Sequence, residues 1–233
     1  MIIFNTQNET LKNLALRELL VQAISFQEIG KLISHSGDAF VSINQGDSFF
    51  YRPNRKAGAS ETSSAPQHVK LEISVDSHNE FRLKLAQFLK QQWEQKGLHV
   101  TLKKIRPDLL FEKKIPEGDF QVALAADRVT NLTRLENILA SDFIPDKWSK
   151  EQRNFSRLKS KQLDQLLSLF KKENEPEKRK QLLLRIKEIY LAKIPFFPVA
   201  YRSGMALSSV EMVHSAAKPM AFDLGRPSLW TIH

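Results

Sequence analysis

An α/β fold is predicted for this 233-residue chain by three alternating apolar segments and the helical stripe that separates the first two. Val69, Leu71, Ile73 and Val75 alternate with Lys70, Glu72 and Ser74, the pattern of a strand with one buried face. Phe81, Leu85, Phe88, Leu89 and Trp93 then recur at three-and-four spacing, and Leu98, Val100 and Leu102 resume the alternation. Residues 69–105 therefore form a β-α-β unit, and 120–126, with Phe120, Val122 and Leu124, supplies a third strand of the same sheet.

In chain order, residues 10–34 carry Leu11, Leu14, Leu16, Leu19, Leu20, Ala23, Ile24, Ile29, Leu32 and Ile33 at helical spacing, which predicts one helix. Periodicity vanishes between Gly37 and His68. The stretch 51–67 is rich in Ser, Ala, Pro, Asn, Arg and Gly, so a flexible insert is expected over about 44–68. Asp76 and Ser77 stop the first strand; Ser77 and Glu80 have capping-box spacing, and Gly97 is placed to end the helix. Pro107 opens a short helix, and Leu132, Leu135 and Leu139 suggest another. Two helices are predicted in 147–193. Leu163, Leu166, Leu167 and Phe170 line one, and Leu183, Ile186 and Tyr190 line the other, which Pro176 opens and Pro195 ends. Residues 196–201 and 206–213 read as strands, and the tail beyond Lys218 holds too many turn residues for an assignment.

Composition removes several chemistries. The absence of cysteine rules out thiol nucleophiles, disulfides and Cys-ligated metal sites. Gly30 and Gly37, the closest glycines, stand too far apart for either a G-x-G-x-x-G or a G-x-x-x-x-G-K phosphate loop. The histidines His35, His68, His78, His99, His214 and His233 include no pair at i,i+3 or i,i+4, and no G-x-S-x-G elbow occurs. No catalytic residue, cofactor or metal is expected. His99 reads as a solvent-facing strand residue and Trp93 as core. Glu72, Asp76 and Asp127, the acids in or at the ends of strands, have no pairing that sequence reveals.

Of the net charge of +9, the segment 147–193 holds +8, from 14 Lys and Arg against 6 Asp and Glu. Glu175 and Arg179 stand at i,i+4, so part of this charge is internally paired, and interleaved aromatics are sparse. The span reads as a solvated face, with an anionic partner, nucleic acid or an anionic membrane, as the alternative. The N-terminus has no basic region leading into an apolar stretch, so no signal peptide is expected in this sequence, and the chain is either cytoplasmic or has its natural beginning upstream of Met1; no apolar run reaches membrane-spanning length.

The order of short motifs resembles the C-terminal half of the family 5 extracellular solute-binding proteins, the oligopeptide and dipeptide receptors of ABC importers. Asn5-Thr6-Gln7 with Arg17, Leu20, Ala23, Ile24 and Ile29 matches the family's "F-N-T … v-R-q-A-L-x-x-A-I" segment. Lys96-Gly97-Leu98-His99-Val100 is similar to its turn before the second strand, and Gly118-Asp119-Phe120-Gln121-Val122-Ala123-Leu124 to its "g-x-y-D-x-a-l" strand. Asn154 through Asp164 to Leu167 resembles its "N-x-x-x-x-s-x-x-x-D-x-L-L" helix, and Pro176 to Arg179 with Ile194-Pro195-Phe196-Phe197-Pro198 its closing motifs. Ser25 stands where the family has Asp, and the family's "A-x-x-L-L-x-x-A-G" helix has no counterpart in 38–68.

The resemblance implies a type II periplasmic-binding-protein-like C-terminal lobe, a mixed sheet flanked by helices. Residues 1–205 would be that lobe, and 206–233 a tail crossing back to a first, N-terminal lobe. It implies a small solute or peptide as ligand and the membrane subunits of an ABC transporter as partner. Location would be periplasmic or extracellular, with membrane association of the full-length form. Without the first lobe, Leu207, Met212, Phe222, Leu229 and Trp230 of the tail would promote self-association. The family's pocket floor maps onto Ala126, Asp127, Arg128, Thr130 and Asn131. Ala126 and Asp127 replace its ligand-packing Gly-Trp, and Thr130 replaces the Asp that holds a peptide's ammonium, so only weak binding of free peptides is implied. Two other readings stand beside this one. The lobe could be the ligand-sensing domain of a transcription regulator, or the chain a basic nucleic-acid-binding protein.

Overall fold

The computed structural model describes residues 1–34, 41–43, 69–126, 135–146, 152–202, 212–214 and 230–232. The insert 44–68 lies outside these residues, as does the tail 206–233 apart from two short strands. In chain order the elements are β1 (Ile2–Phe4), α1 (Leu14–Gln22), α2 (Phe26–Ser34), β2 (Val41–Ile43), β3 (Lys70–Asp76), α3 (Glu80–Glu94) and β4 (His99–Ile105). A helical segment follows, α4 (Pro107–Leu109) and α5 (Ile115–Glu117) joined by a π turn over Leu110–Lys114. Next come β5 (Val122–Leu124), α6 (Leu135–Leu139), α7 (Lys161–Lys172), α8 (Pro176–Lys193), β6 (Phe196–Phe197), β7 (Ala200–Arg202), β8 (Met212–His214) and β9 (Trp230–Ile232).

The predicted strands share one five-stranded sheet, ordered β4-β3-β5-β1-β6. β3 runs parallel to β4 and β5, while β1 runs antiparallel to β5 and β6, so the sheet is mixed. Alternation divides the core in two. Ile2, Phe4, Leu71, Ile73, Val75, Val122, Leu124 and Phe197 face α1, α2 and α3. Ile3, Ala123 and Phe196 face α6, α7 and α8 on the opposite side. Trp93 is fully buried as predicted, and its indole donates 2.9 Å to the Leu20 carbonyl, tying α3 to α1. His99 is exposed. Two separate ribbons pair β2 with β7 and β8 with β9.

Four local expectations are corrected. The single helix over 10–34 is two, because Ser25 interrupts it: its carbonyl accepts from Ile29 N–H and its hydroxyl from Glu28 N–H, capping α2. Asn79, not Ser77, caps α3, accepting 2.9 Å from Arg82 N–H. The strand expected over 196–201 is split into β6 and β7 around Pro198, which has no N–H for a ladder. β1 was not anticipated as a strand. It is central, and both its faces are covered, so it shows no alternation.

Replacing Trp93 with alanine should lower the unfolding free energy by about 3–5 kcal/mol, the range for emptying a large aromatic site in a packed core. Urea unfolding followed by circular dichroism measures this, and a loss below about 1 kcal/mol would mean that α3 does not anchor the first face of the core.

Candidate functional site

In parallel α/β sheets ligands are offered at the carboxyl ends of strands. Here that edge holds the ends of β3, β4 and β5. β3 ends at Asp76, β4 at Ile105, and β5 continues into Ala125 and Ala126. The Ser77 N–H donates 2.8 Å to the Ile105 carbonyl, which folds the β3 turn over β4. Ala125 N–H donates 3.1 Å to the Met1 carbonyl, and the Met1 nitrogen donates 2.7 Å to the Ala125 carbonyl. The β3–β5 register, continued two residues past Ser74↔Ala123, sets Asp76 level with Ala125.

Asp76 is buried at this edge. One carboxylate oxygen accepts 2.9 Å from His78 N–H and the other 3.1 Å from the Arg82 guanidinium. Arg82 lies 5.2 Å from the centre of the Phe111 ring. Burial pushes the Arg82 guanidinium below its ordinary value, and the Asp76 carboxylate opposes that shift. Sequence reading named Asp76 only as a strand-end acid of unknown pairing. Its partner sits six residues on, across a strand-to-helix turn, where no periodic spacing points to it. Glu72 likewise finds a partner in Lys103, 3.3 Å away on the neighbouring strand.

Of the expected floor residues, Ala126 is exposed immediately past β5. Asp127, Arg128, Thr130 and Asn131 lie outside the described residues. On the far face a cavity of about 10 Å³ is lined by Met1, Ile3, Ile138, Arg153, Phe155, Ser156 and Phe196. It has room for about one water and none for a solute. Among the described residues no cluster of His, Asp and Glu is arranged to hold a metal ion.

The polar residues of the recognised motifs serve the scaffold instead. Asn5 donates 2.9 Å to the Gly118 carbonyl and 3.0 Å to that of Phe120, fixing the entry to β5. Thr6 donates through its hydroxyl to the Ser156 carbonyl at 3.0 Å. Asn154 is fully buried and donates at 2.9 Å to the carbonyls of Ala140 and Leu158 while accepting from the Ser156 hydroxyl and Leu158 N–H. Asp164 accepts 2.8 Å from Ser141 N–H. Arg17, buried, donates to the carbonyls of Leu11, Lys193 and Ile194. Burial pushes the Arg17 guanidinium below its ordinary value, with Glu18 opposing. Gly118 adopts φ of +76°, and a Cβ there would meet the Arg157 side chain at 2.9 Å, so glycine is required on both counts.

This arrangement, a mixed sheet with helices on both faces, is a periplasmic-binding-protein-like fold. Solved structures of solute receptors share it. The ABC transporter-associated periplasmic binding protein DppA from Helicobacter pylori, in complex with peptide STSA, is 18% identical at a TM-score of 0.71, over 99% of this chain and 46% of that one. HbpA2 from Haemophilus parasuis gives 17% identity and 0.71 over 100% and 47%. NikZ from Campylobacter jejuni, in complex with Ni(L-His), gives 19% and 0.66 over 86% and 44%. The chain thus spans under half the length of the structures it matches. Neither a known protein family nor a curated protein matches the sequence. Among the described residues no helix is long and apolar enough to cross a membrane.

If Asn154 is a strut, Asn154→Ala leaves buried carbonyls without donors and should cost at least about 2 kcal/mol. That reads as a fall of roughly 4–8 °C in the thermal midpoint for a chain of this size. An unchanged midpoint would mean that Asn154 is not a strut of the fold.

Proposed function

We propose that this chain is the C-terminal lobe of a solute-binding receptor serving an ABC importer, with a peptide-like solute as its ligand. The observation that carries the reading is the coverage: nearly the whole chain superposes on less than half of DppA. The order of sequence motifs supports the same half. The lobe acts by binding, not by catalysis. Its partners are an N-terminal lobe and the membrane subunits of the transporter, in a periplasmic or extracellular location. Nothing observed favours a transcription regulator's sensing domain or a nucleic-acid-binding role over this reading.

The chemistry follows from one lobe supplying part of a two-lobed site. A two-lobed receptor encloses its solute and excludes water from both sides. One lobe alone offers part of the contacts and leaves its charges screened by solvent. The proposed floor comprises Ala126, Asp127, Arg128, Thr130 and Asn131, of which Ala126 is described, one residue past the position level with Asp76. Asp127 stands where the family places an aromatic ring, which removes the apolar face that would pack on the ligand. Thr130 offers a hydroxyl where the family has a carboxylate, which removes the charge that would hold a free ammonium.

Titration of a mixed library of di- to pentapeptides, followed by amide chemical shifts, tests the reading. Saturable shifts are expected at Asp76 to His78 and Ala125 to Asn131, with dissociation constants no tighter than about 1 mM, equivalent to about −4 kcal/mol. Shifts confined to other surfaces, or none with any peptide, would overturn the placement of the site. A micromolar constant abolished by Asp127→Ala would instead show Asp127 holding the ammonium directly.

A further inference from the structure

We propose that the outer face of the α7–α8 hairpin binds the surface of an anionic phospholipid membrane. The net charge of the chain is concentrated in 147–193, and the structure leaves much of it unpaired. Lys171 pairs with Glu136 at 2.8 Å and Lys178 with Glu175 at 2.7 Å. Arg179 turns inward, donating to the carbonyls of Phe170 and Glu173 with its guanidinium 4.0 Å from the Phe170 ring centre. By contrast Lys161, Lys172, Lys180, Arg185, Lys187 and Lys193 form no ion pair among the described residues. Glu177 and Glu188 are the acids within α8 itself.

Apolar side chains lie among these cations. Leu169 on α7 is 55% exposed and Leu184 on α8 54%, two of the three large hydrophobics exposed among the described residues. Lys180, Leu184 and Lys187 stand at i, i+4 and i+7, in one line along α8. The opposite face of each helix is fixed in the core by Leu163, Leu166, Leu167 and Phe170 and by Ile186 and Tyr190. The hairpin therefore docks as a rigid surface and does not insert.

The residue types select the partner. Five of the six unpaired cations are lysines, which are depleted in protein interfaces, where arginine and aromatics dominate. Lysine's long stem lets its ammonium reach headgroup phosphates while the stem and a neighbouring leucine meet the interfacial layer. The aromatics on these helices, Phe170 and Tyr190, are buried, so no stacking platform for single-stranded nucleic acid is presented. This proposal does not rest on the solute-binding reading, since it uses none of the residues at the sheet edge.

Sedimentation of the full chain with phosphatidylcholine vesicles, with and without phosphatidylglycerol, provides the test. Retention only on the anionic vesicles is expected, with release at about 1 M salt, where the Debye length falls to about 3 Å. Each cation near such a surface strengthens binding by about fivefold, so Lys172→Glu with Lys180→Glu and Lys187→Glu should weaken retention by at least about 100-fold. An equal charge change elsewhere, Lys12→Glu with Lys84→Glu and Lys96→Glu, should leave most of it. Equal losses from the two triple variants would reduce the effect to net charge and overturn the assigned face. Absence of retention on anionic vesicles, or capture of nucleic acid in its place, would overturn the proposal itself. Should the hairpin variant fail to fold by circular dichroism, the lipid and salt dependence of the unaltered chain decides alone.

Discussion

The Arg17 guanidinium joins three parts of the chain that nothing else in sequence brings together. It lies on α1 and reaches the carbonyls of Lys193 and Ile194, 176 and 177 residues away, as well as that of Leu11. Ile194 has φ of +46°, a left-handed conformation that a β-branched residue adopts at a cost of order 1–3 kcal/mol. That turn is what sends the chain from α8 straight into β6 beside β1. Pro195 then accepts 3.1 Å from Phe4 N–H, and the Tyr190 hydroxyl donates 3.0 Å to the Phe196 carbonyl. The unusual turn and the buried cation stabilise one another: the turn exposes carbonyls to Arg17, and Arg17 satisfies carbonyls that would otherwise end α8 unpaired. The placement of β6, and with it the sheet's closed side, follows from that exchange.

The sheet's parallel core was readable because Val69 to Val75 and Leu98 to Lys103 alternate apolar and polar residues, and because α3 carries an unbroken stripe. What escaped reading escaped for physical reasons. Ile2, Ile3 and Phe4 are all apolar because both faces of β1 are covered, and three residues give no period to detect. The stripe through 10–34 continues across the break at Ser25, since α1 and α2 bury their apolar faces in the same core cluster. Hydrophobic periodicity records which face is buried. It carries no information on where a hydroxyl has captured an amide. The same limit hid the Asp76–Arg82 pair, which is set by a turn and not by a repeat.

Of the candidate site, only the strand end at which it is expected lies within the described residues. Its position followed from the end of the third strand, and Ala126 stands there, while Asp127 to Asn131 fall outside the described residues. The motif residues that made the family resemblance visible, Asn5, Arg17, Gly118, Asn154 and Asp164, satisfy backbone groups or a tight turn. A shared set of such struts specifies how a lobe is built and leaves open what it holds. DppA with a peptide and NikZ with Ni(L-His) share this fold while carrying unlike ligands, in keeping with that separation.

The position of β1 bears on how the molecule forms. The first strand of the chain lies between β5 and β6, so its neighbours arrive more than a hundred residues later in sequence. Long-range closure of this kind raises contact order and slows folding. During synthesis Ile2, Ile3 and Phe4 gain their first partner strand only with residues 122–124 and keep one bare side until residues 196 and 197 have emerged from the ribosome. A chain interrupted before that point would hold β3, α3 and β4, a local unit, beside a sheet edge with bare amides. The last-made strand of this sheet, β6, is thus a checkpoint for β1, and an incomplete chain carries a surface that a chaperone or protease can recognise.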